Sequence, residues 1–444
     1  MMHRDNIFLI PVGDYLGKDD CEYQLIYAPL AGKMLIADKD SIFDVNHFIH
    51  NRDELIVDKN ILKTLNEITS EKDVEDYLSK VERVDDLQKM SILPNHTCNF
   101  SCSYCYSAKG RANIVLTKEK LKLGLDYFIN PERLKERYLT ISFIGGGEPL
   151  LSWDLVKFGI EYAHNRAEKY GFKLVMTLIS NGSIMDSEII DWLKQYHVLA
   201  DISFDVLEDI QNKQRKNYNK VFDNIRLLCD NGLVPSINAT ITPDIVNRLT
   251  EMFEHISLNF PSIKNMVFEP VVSPDLFQTP KDLRIFYQLF TENFLYVQKL
   301  AQAEEKNVTC RIYKNINSII DRGCPSKFTL TPQGDISICY CTSSPNEAYY
   351  EKRIYGIIDK VVHIDAEKFD TIHKINVHHY EKCSNCFAKW HCGGGCMCPN
   401  DLYTEPFLDE ICVFTKNLIK IVLLQRMEEQ SWQYDNKSLK EQLL

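Results

Sequence analysis

A predicted strand leads into the sequence Leu93-Pro94-Asn95-His96-Thr97-Cys98-Asn99-Phe100-Ser101-Cys102-Ser103-Tyr104-Cys105-Tyr106, whose cysteines have the spacing C-x3-C-x2-C. Three thiolates from one loop can hold three irons of a [4Fe–4S] cube and leave the fourth iron open to a substrate, because a cube normally takes four protein ligands. Zinc is the rival metal, and a zinc site would require a fourth ligand in or near the loop, for which His96 is the candidate. The sequence therefore predicts a metal site here, with iron and zinc as the alternatives.

Six short β-rich runs alternate with longer amphipathic stretches around and beyond this loop. The predicted strands are Met90–Leu93, Leu139–Ile144, Lys173–Ser180, Ala200–Phe204, Pro235–Thr242 and Asn265–Glu269. The helices predicted between them include Trp153–Glu168 and Asp186–Gln195. Such alternation predicts a parallel sheet, so the expected fold class is α/β with a partial (β/α)6 TIM-like barrel over residues 91–272. In a barrel of this kind the chemistry lies in the loops that follow the strands.

Residues 1–90 form a predicted small module ahead of the barrel. Two apolar runs, Tyr23–Pro29 and Lys33–Ala37, flank the short connection Leu30-Ala31-Gly32, which predicts a β-hairpin. Apolar residues then recur at helical spacing, at Ile61, Leu62, Leu65, Ile68, Val74, Tyr77 and Leu78. Strands followed by helices indicate a winged-helix-like module.

Two further parts are predicted after the barrel. Residues 273–319 are expected to be a helical bridge, with an apolar face made of Leu283, Phe286, Tyr287, Phe290 and Phe294. Residues 320–444 are expected to be loop-rich and dense in cysteine, with a closing helix over Val413–Met427. A segment of this composition is expected to fold around metal rather than around an apolar core.

Composition narrows the classes of function. The 444 residues include 15 cysteines, an odd number, and carry a net charge of -11. Without a secretion signal a disulfide framework is not expected, and metal or redox chemistry is favoured. The chain has no basic block of the kind that binds nucleic acid, and no uncharged stretch of about 18 residues that would span a membrane. We therefore expect a cytoplasmic protein that acts on a peptide or a small molecule.

The first cysteine loop resembles that of the radical S-adenosylmethionine (radical SAM) superfamily, whose signature is C-x3-C-x-aromatic-C, with Tyr104 at the aromatic position. The resemblance implies that Cys98, Cys102 and Cys105 hold a catalytic [4Fe–4S] cluster. The free iron would bind S-adenosylmethionine, and an electron from the cluster would cleave it to a 5′-deoxyadenosyl radical. Packing over the loop is a compatible role for Tyr104.

Polar residues that follow the next strands fit the same resemblance. After Leu139–Ile144 comes Gly145-Gly146-Gly147-Glu148-Pro149, where glycines allow close backbone approach and the carboxylate can receive the amino group of the cofactor. The residues implied to bind the cofactor are Tyr104, Gly146, Gly147, Glu148, Ser180, Asn181, Ser203, Asp205 and Arg215. Serine and asparagine are also ordinary turn residues, and a solvated surface position is the alternative for Arg215.

The C-terminal cysteines resemble the seven-cysteine SPASM extension of peptide-modifying radical enzymes. The resemblance implies two auxiliary [4Fe–4S] clusters, the first held by Cys324, Cys339 and Cys396 and the second by Cys383, Cys386, Cys392 and Cys412. The first set is one thiolate short. Cys310 or Cys341 would complete it, or the site is open to substrate, and Cys398 has no assignment. One or two structural zinc sites are the alternative.

The resemblance implies an oxidoreductase that modifies a ribosomally made precursor peptide, by a thioether or carbon–carbon cross-link. The N-terminal module would bind the leader of that peptide as an added strand, and a flavodoxin or ferredoxin would supply electrons. The alternatives are a formylglycine-type sulfatase maturase, a peptide epimerase and a non-enzymatic iron–sulfur or zinc scaffold. Sulfatase maturases place an Asp base after the cysteine that corresponds to Cys339, where this chain has Tyr340. The catalytic base is unassigned, with Tyr340 and Glu269 as candidates and ordinary polar lining as the alternative.

Overall fold

The computed structural model describes residues 6–18, 22–50, 63 and 81–443. Its strands form two sheets. The smaller sheet is antiparallel and contains β1 (Phe8–Pro11), β2 (Gln24–Ala28) and β3 (Lys33–Ala37), with β2 in the middle. The predicted hairpin is confirmed, because β2 and β3 pair and Gly32 lies between them with φ 62°.

The larger sheet carries the barrel. Its strands are β4 (Lys89–Ile92), β5 (Tyr138–Phe143), β6 (Lys173–Ser180), β7 (Leu199–Ser203), β8 (Ser236–Ile241), β9 (Asn265–Pro270), β10 (Asn307–Thr309), β11 (Phe328–Leu330), β12 (Asp335–Ser337), β13 (Ile354–Ile358) and β14 (Val362–Ile364). They lie in the order β10-β9-β8-β7-β6-β5-β4-β11-β12-β13-β14. Every neighbouring pair from β10 to β11 is parallel, and the pairs from β11 to β14 are antiparallel.

The helices among the described residues follow in chain order. They are α1 (Gly13–Leu16), α2 (Lys39–His50), α3 (Lys118–Phe128), α4 (Trp153–Tyr170), α5 (Ser187–Gln195), α6 (Glu208–Gln214), α7 (Tyr218–Asp230), α8 (Leu249–Asn259), α9 (Pro280–Ala303), α10 (Arg311–Asn315), α11 (Tyr350–Arg353), α12 (Ala366–His373), α13 (Lys389–Cys392), α14 (Met397–Leu402), α15 (Glu405–Asp435) and α16 (Leu439–Leu443). Within the described ranges, none of these helices has both the length and the apolar character needed to cross a bilayer.

The predicted α/β fold class is confirmed. The six predicted strands correspond to β4–β9, and none of their ends differs from the prediction by more than one residue. Local pattern explains this success: in β5 the buried Leu139, Ile141 and Phe143 alternate with the half-buried Thr140 and Ser142, as the two faces of a strand require. The sheet extends beyond the six predicted units, because the three-residue strands β10 and β11 add to its two sides.

Helix ends in the barrel are also set by local chemistry. The side chain of Asp186 accepts a hydrogen bond of 2.9 Å from the Ile189 backbone and caps α5. Thr279 and Asp282 form a reciprocal capping box at the start of α9, just before Pro280. The apolar face that was predicted for the bridge lies on α9 and is buried.

The small N-terminal sheet packs on the C-terminal part of the chain. The indole N–H of Trp390 donates a 2.7 Å hydrogen bond to Asn6 Oδ1, and the Tyr27 hydroxyl is hydrogen-bonded to the His391 ring. Both contacts come from α13, which ends at Cys392. The helical pattern predicted between Ile61 and Leu78 lies outside the described residues, so the boundaries predicted for the four parts of the chain stay predictions.

The C-terminal part is more regular than its sequence suggested. Strands β11–β14 continue the barrel sheet, and the cysteines after them lie in helices, as Cys392, Cys398 and Cys412 do, or in the turns beside helices. The predicted closing helix is present as α15 and is longer than expected at both ends. It packs along α9, where the rings of Tyr287 and Phe414 stack with their centroids 4.2 Å apart.

Candidate functional site

The loop after β4 brings the three barrel cysteines, Cys98, Cys102 and Cys105, close to one another. All three thiols are free and half-buried, and the charges of Cys98 and Cys105 both act on Cys102. Donor groups point at the sulfurs. Arg111 Nη2 lies 3.4 Å from Cys105 Sγ, and the Phe100 backbone N–H lies 3.4 Å from Cys98 Sγ. Such donors stabilise thiolates, the form in which cysteine binds metal.

The glycine stretch after β5 lies directly against this loop. The Gly147 N–H donates to the Asn95 carbonyl at 3.0 Å, and the Glu148 N–H donates to the Thr97 carbonyl at 2.8 Å. A Cβ atom on Gly147 would lie 1.8 Å from the Thr97 carbonyl oxygen. Only glycine therefore permits this approach of the two loops.

Glu148 joins the ends of three strands. Its side chain is buried, with one oxygen accepting from the Ser180 hydroxyl at 2.8 Å and from Leu150 N–H at 3.1 Å. The other oxygen accepts from the Asn181 N–H at 2.7 Å. Burial raises the pKa of this carboxyl, and these donors act against the rise. A carboxylate offers about four acceptor positions, so three donors leave room for one more.

Three of the predicted residues form one buried network. The Tyr104 hydroxyl donates to the Asp205 carboxylate, 2.7 Å from Oδ2, and accepts from Arg215 Nη1 at 3.0 Å. Asp205 is fully buried and Arg215 is 7% exposed, so Arg215 is not the solvated surface residue of the alternative. Burial raises the pKa of Asp205, and the nearby guanidinium opposes that rise. Arg215 Nε is buried and has no hydrogen-bond partner among the described residues.

The remaining predicted residues near the cysteine loop have simpler surroundings. Asn181 donates to Asn99 Oδ1 at 2.8 Å, and its amide lies 3.9 Å from Cys98 Sγ. Ser203 is the last residue of β7 and pairs with Asn238 of β8. His96 is 1% exposed, and burial lowers its pKa to about 4, with the Ser343 backbone acting against the shift.

The C-terminal cysteines gather into two groups. We call Cys324, Cys339, Cys341, Cys396 and Cys398 the first C-terminal group. The second C-terminal group contains Cys383, Cys386, Cys392 and Cys412, the same residues that were predicted to act together. Cys310 is not in either group but lies in the hydrophobic core, 1% exposed.

A glycine turn brings distant segments of both groups together. The Gly323 N–H donates to the Gly393 carbonyl at 2.7 Å, and a Cβ on Gly323 would lie 2.5 Å from the Cys392 carbonyl oxygen. Gly393, with φ 60°, allows the chain to reverse directly after Cys392. This close approach places Cys324 beside the turn that leads to Cys396.

Tyr106, next to Cys105, adjoins Tyr340, next to Cys339 and Cys341, where the barrel loop approaches the first C-terminal group. The rings of Tyr106 and Tyr340 are 6.2 Å apart, and Lys327 Nζ lies 4.3 Å from the Tyr340 ring. Tyr106 is 46% exposed, and burial together with the charges of Cys341 and Cys105 raises the pKa of its hydroxyl well above the usual range. Glu269 has the same character: its carboxylate is 40% exposed, burial raises its pKa, and it accepts from the Arg311 N–H at 2.8 Å.

Residues 92–256 match the family model described as the radical SAM superfamily. The chain is an enzyme with a radical SAM domain. That identity implies S-adenosylmethionine and a [4Fe–4S] cluster. Two features of this radical SAM enzyme fit such groups: the three free thiols, with N–H donors aimed at Cys98 and Cys105, and the buried Arg215 Nε, which has no partner among the described residues and suits a carboxylate.

Known proteins resemble this radical SAM enzyme over most of its length. It is 21% identical over 370 residues to the radical SAM cyclopropyl synthase TigE of Paramaledivibacter caminithermalis, covering 75% of this chain and 72% of that protein. It is 21% identical over 372 residues to the cysteine-type anaerobic sulfatase-maturating enzyme of Clostridium novyi, covering 74% and 94%. The solved structure of Streptococcus suis SuiB bound to precursor peptide SuiA has a TM-score of 0.51 at 13% identity, covering 90% of this chain and 97% of SuiB. The last likeness concerns the fold.

Sequence reasoning missed several residues of the radical SAM enzyme that the structure places at the site. Arg111, Tyr106 and Arg311 were not singled out, although each lies within six residues of a cysteine that was discussed. Arg311 lies where the charges of Cys392, Cys396 and Cys324 act on it, that is, between the two C-terminal groups. An arginine next to an isolated cysteine carries no signal of its own, because only folding shows which distant thiols surround it.

Proposed function

We propose that this radical SAM enzyme modifies a ribosomally made precursor peptide by forming a cross-link, either a thioether or a carbon–carbon bond. The observation that carries the proposal is the approach of the barrel cysteine loop to the first C-terminal group: Tyr106, next to Cys105, and Tyr340, between Cys339 and Cys341, have ring centroids 6.2 Å apart. A substrate bound beside these two rings would be within reach of both sets of thiols.

The barrel residues have defined tasks in this proposal. Cys98, Cys102 and Cys105 would hold the catalytic cluster, and Arg215 would bind the carboxylate of S-adenosylmethionine. The Tyr104 hydroxyl and Asp205 hold the guanidinium in place. When bound, the cluster supplies the electron for reductive cleavage of the cofactor. The half-buried position of the three thiols limits the access of water and oxygen to this chemistry.

The C-terminal groups would hold two auxiliary [4Fe–4S] clusters. Arg311 is a partly exposed cation on which thiols of both groups act, and Glu269 is its partner, with Arg311 Nε 3.8 Å from Glu269 Oε1. A fixed positive charge beside a cluster favours the reduced form, because the extra electron is attracted to it. This arrangement suits electron transfer through the C-terminal part during peptide modification. Of the two candidates for the catalytic base, Glu269 is favoured over Tyr340, because nearby thiolates and burial raise the pKa of Tyr340 well above the usual range.

Similarity to peptide-modifying enzymes supports a peptide as the substrate. SuiB, whose fold is similar, was solved with a precursor peptide bound, and TigE is named a cyclopropyl synthase. In this chain β3 pairs with β2 on one side, and among the described strands none pairs with its other side. An edge strand can take up a leader peptide as an additional strand. We propose that β3 binds the leader and that a flavodoxin or ferredoxin reduces the enzyme.

A formylglycine-type sulfatase maturase is the second candidate, since the chain is 21% identical to such an enzyme. It is the weaker candidate because Tyr340, which follows Cys339, replaces the Asp base of that family. Tyr340 is an unsuitable base, since nearby thiolates and burial raise its pKa well above the usual range. A sulfatase peptide with cysteine or serine at the target position would test this activity directly.

The experiment combines anaerobically reconstituted enzyme, a chemical reductant, S-adenosylmethionine and a candidate precursor peptide, taken from any short reading frame beside the gene. A cross-link predicts 5′-deoxyadenosine together with a peptide that has lost a pair of hydrogens, and fragmentation then locates the bond. A variant with Ala at Cys98, Cys102 and Cys105 should release no 5′-deoxyadenosine. An unchanged peptide mass with continued release of 5′-deoxyadenosine would show that this peptide is not the substrate, and an unchanged mass with altered residue chirality would indicate epimerisation.

Leader binding has its own test. The N–H groups of neighbouring residues in a strand point to opposite sides, so proline is placed separately at Met34 and at Leu35 of β3. At the outward-facing position it should weaken binding of a fluorescent leader peptide and leave cofactor cleavage intact. At the position that pairs with β2 it should instead destabilise the sheet. If both variants that fold bind the leader as tightly as the parent, the leader does not add to β3.

A further inference from the structure

We propose that the first C-terminal group is a five-thiol site, in which Cys341 and Cys398 are interchangeable as the fourth ligand of one iron–sulfur cluster. Cys310 has no part in it. The inference rests on the proposed function, which assigns an auxiliary cluster to this group. It goes further because it names a fifth thiol and a ligand exchange.

The sulfur positions carry the argument. The ligand atoms of Cys339, Cys341 and Cys398 lie within 4.8 Å of one another, and among residues 6–18, 22–50, 63 and 81–443 this is the one set of at least three possible ligand atoms that meets that limit. Cys339 Sγ and Cys398 Sγ are 3.9 Å apart. Cys341 and Cys398 therefore both lie beside Cys339.

The other two thiols complete a closed set. Cys324 contacts Cys339 and Cys396, and Cys396 contacts Cys398. Each thiol thus has at least two others as neighbours, and the whole set could surround one cluster. A [4Fe–4S] cube takes four thiolates, one on each iron, so one of the five is in excess. Since Cys341 and Cys398 adjoin each other and Cys339, they compete for the same corner.

The competing thiols belong to different elements. Cys341 follows β12 and its backbone N–H lies 3.4 Å from Cys339 Sγ, whereas Cys398 lies in the first turn of α14. Either thiol can therefore move without displacing the other. Exchange breaks one iron–sulfur bond and forms another, and the proton released by the incoming thiol passes to the outgoing thiolate. No electron is gained or lost.

The two positions differ in what they face. Among the thiols, Cys341 has the largest charge effect on both Tyr106 and Tyr340, whose rings are 6.2 Å apart, so it lies on the side of the group that adjoins these rings. Cys398 adjoins Cys339, Cys341 and Cys396. Ligation by Cys398 would leave Cys341 free beside the two tyrosines while the cube stays closed. Both candidates are thiolates, the soft ligand class that suits an iron–sulfur cluster.

Cys310 lacks the contacts that a ligand needs. It is 1% exposed and belongs to the main hydrophobic core, beside Glu269 rather than beside the other thiols. Burial raises the pKa of its thiol well above the usual range. A buried cysteine in such surroundings behaves as a small apolar side chain.

The experiment uses the full chain with Ala at Cys98, Cys102 and Cys105, so that only auxiliary iron remains. A cube with three thiolates loses its open iron on mild oxidation and becomes a [3Fe–4S] cluster, which has a distinct electron paramagnetic resonance signal. We expect this signal in the double variant Cys341→Ser/Cys398→Ser, and in neither single variant. The matched control Cys310→Ser should behave as the background protein, and iron retained by the second C-terminal group reports that each variant has folded.

Two results would overturn the inference. If either single variant already gives the full signal, that cysteine alone is the fourth ligand and there is no exchange. If Cys310→Ser gives it, the ligand has been misidentified. These outcomes differ from failure of the proposed function itself, in which the background protein would contain zinc, or no iron beyond that of the second group.

Discussion

Replacing Gly147 with alanine tests the contact between the cysteine loop and the strand-end loop after β5. The new Cβ would lie 1.8 Å from the Thr97 carbonyl oxygen and 2.3 Å from Asn95 Oδ1. An ordinary carbon–oxygen contact is about 3.3 Å, so the loops would have to separate by about 1.5 Å. The hydrogen bonds Gly147 N–H to Asn95 O, 3.0 Å, and Glu148 N–H to Thr97 O, 2.8 Å, would then exceed hydrogen-bonding distance.

Two lost backbone hydrogen bonds cost about 1 kcal/mol each, and overpacking adds about 1–3 kcal/mol. We therefore expect the free energy of unfolding to fall by about 3–5 kcal/mol. Because the loop that carries the barrel cysteines is displaced, reductive cleavage of S-adenosylmethionine should slow by about 100-fold. Urea denaturation and 5′-deoxyadenosine release measure the two effects.

The matched control is Gly171→Ala. Gly171 has φ 70°, and a Cβ there would meet nothing within 4 Å, so only the left-handed backbone is strained. That strain costs about 1–2 kcal/mol. Gly171 itself lies far in sequence from the cysteine loop. The control should lose stability without losing cofactor cleavage. The reasoning is refuted if Gly147→Ala stays within about 0.5 kcal/mol of the parent and cleaves the cofactor at the parental rate.

Tyr104→Phe should destabilise the fold by about 1–3 kcal/mol, because it leaves the buried Asp205 carboxylate without its hydroxyl donor. A loss below about 0.5 kcal/mol in urea denaturation would contradict the network. Burial and Arg322 lower the pKa of His373, so the unfolded chain binds a proton there more readily than the folded chain does. The free energy of unfolding should therefore fall as the pH drops through about 6.5, the ordinary pKa of histidine. His373→Gln should flatten this dependence of the unfolding free energy on pH, and an unchanged slope would contradict the assignment. Arg311→Gln should lower the reduction potentials of the C-terminal clusters by tens of millivolts, a free-energy change on the order of 1 kcal/mol. A redox titration followed by electron paramagnetic resonance measures the potentials, and unchanged values would show that the guanidinium does not act on the clusters.

Most of the barrel could be predicted from the sequence, because its signals are local. Alternating burial along β5 and the Asp186 cap of α5 involve only neighbouring residues. The strands β10 and β11 could not be predicted, since three residues are too few for a pattern and their places depend on pairing with β9 and β4. The same limit applies to α13, whose contacts with the N-terminal sheet join residues more than 360 positions apart.

The candidate site divides in the same way. Cys98, Cys102 and Cys105 lie in one loop, so their spacing alone brings the thiols together and predicts a three-thiol metal site. The network of Tyr104 with Asp205 and Arg215 was expected only as separate cofactor contacts. Its hydroxyl bridge required the packing of the loop against the end of β7 and the end of α6.

The sequence by itself determined the radical SAM barrel and the loop that holds three thiols, because strand periodicity and ligand spacing act over a few residues. Only the tertiary structure decided that Cys341 and Cys398 join Cys339 while Cys310 stays in the core. Thiols from separate segments meet only where the intervening chain folds back, and the close backbone contact of Gly323 with Gly393 joins the segment of Cys324 to that of Cys396 in this way.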